Sequence, residues 1–198
     1  MKIGIIGAGR IGGNAARMLT RVGHEVLVSF SRDPYPLPTL AAELGDRAQV
    51  GTAAEAATFG PVVMISVPWP AVDIALSAAG SLAGKIVIDT THQFILGGLD
   101  DLGTHTAAQL NHARMPGARL VKAFNTLTAG FQAETAGRAG ADRVVIFLCG
   151  DDAEAKAAVA GLIDDAGFIP VDLGGLADAA AMEAPRPGAV YGEEYHET

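Results

Sequence analysis

A five-residue apolar strand, Lys2 to Ile6, runs straight into Gly7-Ala8-Gly9-Arg10-Ile11-Gly12, and a helical pattern from Arg10 to Val22 follows without a break. Few folds accept that order. Gly7 permits a tight strand-to-helix turn, Gly9 lets a pyrophosphate approach the backbone, and Gly12 allows helix and strand to pack closely. The free amides of the first helical turn face the phosphates, helped by the helix dipole. The bland alternative is a three-glycine turn with no ligand, but a strand before and a helix after is the context the motif requires.

The rest of the chain repeats the alternation. Strands are predicted at Glu25–Ser29, Pro61–Val67, Lys85–Asp89, Arg119–Ala123, Arg143–Cys149 and Phe168–Asp172. Helices are predicted at Thr39–Leu44, Trp69–Ala79, Thr104–Arg114 and Asp152–Ala166. Strands apolar on both faces fit a parallel sheet covered by helices on both sides. The reading is an α/β chain with a doubly wound, mostly parallel sheet, the Rossmann dinucleotide-binding fold. Residues 1–175 form the nucleotide-binding domain, and 176–198 a C-terminal helix and arm. Phe30–Pro38, with three prolines, reads as a loop or helix entry.

Composition excludes several classes. A net charge of -8, with no basic run, excludes binding to a nucleic-acid backbone. No window approaches the ~20 uncharged apolar residues of a membrane span. The N-terminal apolar stretch is broken by glycines and Arg10, so it is not read as a signal peptide. One cysteine, Cys149, makes no internal disulfide, and a reduced, cytoplasmic setting is expected.

The end of the second strand selects the nucleotide. Where an NAD site places an acid for the ribose hydroxyls, this chain reads Ser29-Phe30-Ser31-Arg32. A hydroxyl and a guanidinium suit a 2′-phosphate, so NADP is favoured over NAD. A solvated Ser-Arg turn is the bland reading.

Three further strand ends carry unusual residues. Val67-Pro68-Trp69-Pro70 offers a rigid extended entry and a flat apolar wall, although Trp69 reads equally well as core. Asp89-Thr90-Thr91-His92 offers polar contacts to ribose or an acceptor, or a cap at Asp89. Ala123-Phe124-Asn125-Thr126 offers the Asn125 amide, which donates and accepts, or else makes an Asx turn. No general acid or base stands out, the catalytic residues stay unassigned with Asn125 the one candidate, and that suits hydride transfer by positioning. Cys149, inside an apolar strand, reads as an inert thiol. His105 and His112 share a helical face without a companion ligand, so no metal site is read. Asp151-Asp152 reads as a helix cap.

Several segments in order, KIGIIGAGRIG, Ser31-Arg32, ISVPW, GKIVIDTT, RLVKAFNTLTAG and LCGDDAEAK followed by LIDDAGFIPVDLGGL, resemble the NADP oxidoreductases dependent on the deazaflavin coenzyme F420. The resemblance implies NADPH on the Rossmann half, with the deazaflavin stacked over the nicotinamide. It places Gly7, Ala8, Gly9, Arg10, Ile11 and Gly12 along the pyrophosphate, and Ser31 and Arg32 on the 2′-phosphate. Val67, Pro68, Trp69, Asn125, Thr126, Leu127 and Ala129 then line the meeting place of the rings. Two features depart from the pattern. Asp89-Thr90-Thr91-His92 stands where bacterial relatives often read Asp-Ala-Thr-Asn, and the chain ends in a polar Pro-Gly tail in place of longer apolar helices. The family also holds flavin-using ferric reductases. Hydride exchange between NADPH and a deazaflavin is therefore expected, with a flavin or quinone-like acceptor, or a non-catalytic NADPH sensor, as alternatives. The partners expected are a small-molecule acceptor and a second copy in a homodimer, with the arm covering the acceptor side of either subunit.

Overall fold

The computed structural model describes residues 1–29, 37–183 and 189–196. The elements run β1 (Lys2–Ile6), α1 (Arg10–Arg21), β2 (Glu25–Ser29), α2 (Leu37–Leu44), β3 (Ala48–Val50), α3 (Ala53–Phe59), β4 (Val62–Ile65) and α4 (Val72–Ala79). They continue with β5 (Ile86–Asp89), β6 (Phe94–Ile95), β7 (Gly98–Leu99), α5 (Ala107–Arg114), β8 (Arg119–Ala123), α6 (Ala129–Thr135), β9 (Val145–Gly150), α7 (Ala153–Asp165) and β10 (Ile169–Asp172).

One eight-stranded sheet carries the order β10-β9-β8-β5-β4-β1-β2-β3. Every neighbouring pair is parallel except β8 with β9, so β9 and β10 run against the other six. Its central strands are buried on both faces, which is why they read as unbroken apolar runs. Side chains of α1, α2 and α7 close one face, and those of α3, α4 and α5 close the other. This is the expected doubly wound α/β fold. The chain order reverses beside β1, which has β2 on one side and β4 on the other. Ligands bind outside the carboxyl ends of strands at such a switch point.

Several boundaries differ from the sequence expectation. The strand read over Pro61–Val67 is the shorter β4, because Pro68 and the turn before it leave the ladder. The helix read from Trp69 opens with a 3-10 turn, Trp69–Ala71, before α4. The helix read from Thr104 starts at Ala107, capped by Thr106 with Gln109 returning the bond. Leu37 and Pro38, the end of the segment read as a loop or helix entry, open α2, where proline in the first turn loses no helical hydrogen bond. The helix expected from Leu176 is a 3-10 helix ending at Ala181. Asp152 does cap α7, accepting from the Ala155 amide.

The described part of the arm lies on its own chain. The Val190 amide donates to the Ala181 carbonyl, and the Gly192 amide to the Thr126 carbonyl, at 2.8 and 2.7 Å. The Val145 amide donates to the Tyr195 carbonyl at 2.8 Å, and the Tyr195 ring meets Phe147 edge-on. Among the described residues, no helix is long and apolar enough to cross a membrane.

Candidate active site

The glycine loop is shaped by steric exclusion at two of its glycines. Gly7 has φ +104°, and a β-carbon there would lie 2.2 Å from the Ser66 carbonyl oxygen. At Gly12 a β-carbon would lie 2.1 Å from the Gly7 carbonyl oxygen, so α1 packs against its own entry turn. The Gly7 amide donates to the Ser29 carbonyl at 2.9 Å, which fixes the loop to the end of β2. Gly9 is different: a β-carbon there meets nothing within 4 Å. Gly9 is also the N-cap of α1 and supplies no side-chain cap, so the open space stands over free helical amides. That vacancy has the position and chemistry a pyrophosphate needs.

Two clefts flank the loop, and Gly9 and Arg10 line both. The first, about 380 Å³, lies between α1, α2 and α6 and is lined by Ala8, Gly13, Asn14, Arg17, Leu40 and Ala129 among others. Asn14 donates to the Ala129 carbonyl and ties α1 to α6. The second, about 360 Å³, lies at the ends of β1, β4 and β5. Ile11, Val67, Pro68, Trp69, His92 and Phe94 line it.

Trp69 is a buried wall of this second cleft, not packing alone. Its indole N–H donates to Asp100 at 2.9 Å, and the Arg114 guanidinium lies 4.6 Å from the ring centre. Arg114 is itself held by Asp73 and by Asn111. Such a stacked cation contributes about 0.5–2 kcal/mol and fixes the ring plane. Opposite in chemistry stands His92, whose ring packs on Phe94 at 5.1 Å and meets Tyr191 edge-on at 4.5 Å.

His92 Nε2 lies 2.9 Å from the Asn125 carbonyl oxygen. The same nitrogen lies 3.2 Å from the Asn125 side-chain Nδ2; a carbonyl only accepts, so the shorter contact is a hydrogen bond when Nε2 carries the proton. Burial first, and then the Lys122 charge, push the His92 imidazole down to about 4. The unfolded chain therefore takes up a proton between pH ~6.5 and ~4 that the folded chain refuses. His92 withholds no stability above that range, and costs progressively more as pH falls through it, roughly 3 kcal/mol at the lower end. Urea titrations at pH 7 and pH 4.5 should show the acid loss shrinking in His92→Asn. An identical acid loss in the variant would mean the ring is not held neutral.

Behind the clefts sits a polar cluster that the sequence reading did not assemble. Lys122, on β8, is fully buried, with Nζ 3.2 Å from Asp89, 3.3 Å from Glu183 and 2.8 Å from the Thr91 carbonyl oxygen. Asp89 also accepts from Asn111 and from the Thr91 amide. Its carboxylate is therefore engaged inside the protein, and of the two readings of Asp89, a contact for ribose or acceptor and a local cap, the Thr91 amide bond matches the cap. A lysine in the middle of the apolar strand RLVKA was the signal for this cluster. Burial pushes the Cys149 thiol up to about 12, so it stays an inert thiol.

The other expected residues divide. Gly9, Arg10, Ile11, Val67, Pro68 and Trp69 come together on the second cleft, and Ala8 and Ala129 on the first. Asn125, Thr126 and Leu127 are buried behind the walls, with the Asn125 side-chain amide donating to the Met182 carbonyl at 2.8 Å. Ser31 and Arg32 lie outside the described residues.

Residues 2–93 match the family model described as NADP oxidoreductase, coenzyme F420-dependent. The chain is 33% identical over 183 residues to metalloreductase STEAP3 of Rattus norvegicus, which covers 92% of this chain and 36% of that protein. It thus spans about a third of the length of the curated relatives it matches. A hypothetical protein of Sinorhizobium meliloti superposes with a TM-score of 0.86 at 30% identity, covering 100% of this chain and 97% of that one. A protein of Arthrobacter sp. FB24 assigned as an F420-dependent NADP reductase gives 0.79 at 29% identity, over 90% and 87% of the two chains.

Proposed function

We propose, from the match of residues 2–93 to the model of the coenzyme F420-dependent NADP oxidoreductases, that the chain passes hydride between NADPH and a flat tricyclic acceptor, a deazaflavin of the F420 type. The observation that carries this reading is the shared rim. Gly9 and Arg10 border both clefts, so a dinucleotide crossing the loop reaches from one to the other. NADPH, when bound, supplies the hydride. The α1 amides and the space at Gly9 hold its pyrophosphate, and Arg10 adds positive charge beside it. Ser31 and Arg32 hold the 2′-phosphate in this reading. Trp69, Val67 and Pro68 give the second cleft an apolar floor that excludes water, and His92 with Phe94 gives it an aromatic side. A neutral His92 lends no charge to the reacting rings. Orientation and exclusion of water are then the protein's contributions to the reaction.

A second reading replaces the deazaflavin with a flavin. The resemblance allows it, and the chain is also 33% identical to metalloreductase STEAP3, a reductase whose name carries no deazaflavin. Anaerobic oxidation of NADPH, followed by absorbance with F420, FMN and FAD in turn, decides between them. F420 should be reduced fastest. Faster reduction of FMN or FAD would establish the second reading. Trp69 is the chain's single tryptophan, and NADPH absorbs where tryptophan emits. NADPH should therefore quench the protein's fluorescence, whichever acceptor is used. Quenching without turnover of any acceptor would leave a nucleotide-binding sensor.

A further inference from the structure

Among the described residues, Phe124 is the one non-glycine residue with positive φ, at +60°, and it is a buried aromatic. A β-carbon is disfavoured in that region, so the conformation persists only where the surroundings enforce it, and such strain gathers at functional sites. Here the enforcement is one side chain. Gln132, on α6, is fully buried, and its Nε2 donates to the carbonyls of Phe124 and Leu127, both at 2.9 Å. Both N–H groups of the amide are thus used on the two ends of a four-residue turn, while its Oε1 has no partner. The turn in turn aims the Asn125 carbonyl at His92 Nε2. It also fixes the Asn125 side-chain amide between the Met182 carbonyl and His92 Nε2, at 2.8 and 3.2 Å, and the Thr126 carbonyl on the Gly192 amide of the arm.

We propose that Gln132 is a positioning residue: by clamping the Phe124–Leu127 turn it fixes the tautomer and the ring orientation of His92, and so the wall on which the acceptor lies. The inference rests on reading the second cleft as the acceptor site. Losing the clamp leaves two buried carbonyls without donors and lets Phe124 relax from positive φ. The Asn125 carbonyl then leaves His92, and the ring is free to carry its proton on either nitrogen.

The test is Gln132→Met in the full chain, which keeps the bulk and removes the donor. Nitrogen NMR of the imidazoles, with His92 identified by its absence in His92→Asn, reads the tautomer without any acceptor. The parent should show His92 protonated on Nε2, and the variant a mixture. With FMN and F420 as probes, the acceptor KM should rise about tenfold, while NADPH affinity read from Trp69 stays within about twofold. Gln132→Glu supplies a second variant of native shape if the first does not fold. Its buried carboxyl donates one of the two bonds while protonated, so the His92 pattern should return in part at mildly acidic pH and fade as pH rises. An unchanged His92 pattern in Gln132→Met, or one independent of pH in Gln132→Glu, overturns the proposal. So does a loss of NADPH affinity equal to the rise in acceptor KM. Because the NMR readout needs no turnover, it judges the clamp even if the acceptor panel refutes the reading of the cleft.

Discussion

Gly9→Val is expected to weaken NADPH at least a hundredfold, about 2.7 kcal/mol, while the protein stays folded. The structure separates the two roles a glycine plays in this loop. The β-carbon of a side chain at Gly9 enters open space at the start of α1, where it meets nothing within 4 Å beyond its chain neighbours. Its cost to folding is that of a poor N-cap, about 1 kcal/mol or less. Its cost to binding is the whole approach of the pyrophosphate. Gly12→Ala provides the contrast, since its β-carbon would lie 2.1 Å from a backbone oxygen. That variant should lose stability first and affinity only as a consequence. Calorimetric titration with NADPH and a urea melt on each variant give the four numbers needed. If Gly9→Val keeps its affinity within about twofold, ~0.4 kcal/mol, the loop is a structural turn and the nucleotide lies elsewhere.

What the sequence disclosed follows the range of each interaction. β1, β2 and β8 have the bounds read from the sequence, because burial on both faces leaves its mark in four successive residues. The glycine loop is equally local. By contrast β3, a three-residue edge strand, and the hairpin of β6 and β7 bury too little to impose a pattern. α3 went unread although Thr52 and Glu55 spell a capping box, a short-range signal that was present. Trp69 could not be divided between core and cleft, because its setting depends on Asp100 and Arg114 from later segments. Asn125 reaches the cleft wall with both of its groups: its backbone carbonyl lies 2.9 Å and its side-chain Nδ2 3.2 Å from His92 Nε2, and Nδ2 also donates to the Met182 carbonyl. The positive φ at Phe124 has no sequence signature at all, since nothing in a phenylalanine announces the glutamine eight residues on that holds it.

Lys122→Met is expected to cost about 3–5 kcal/mol of folding stability, the range for breaking a buried ion pair from one side. The ammonium lies at 0% exposure between two carboxylates that are themselves buried. Glu183 accepts the Ala107 and Ala108 amides at the start of α5, and Asp89 accepts from Asn111 and Thr91. Neither acid can swing out to water without abandoning those bonds, so removing the cation strands two negative charges together. Burial alone would push the Lys122 ammonium down, but Asp89 and then Glu183 outweigh it and hold it above its ordinary value of 10.5. Its folded value being raised, the stabilisation is complete below the unfolded value and is lost as pH climbs through the folded one. The parent should therefore show no loss from this group at neutral pH. Lys122→Met combined with Asp89→Asn removes one of the stranded charges and should recover part of the loss. Urea denaturation of the three proteins at pH 7 measures both. A loss under about 1 kcal/mol would mean that water reaches the cluster and that β5, β8 and the segment ending at Glu183 are joined by packing alone.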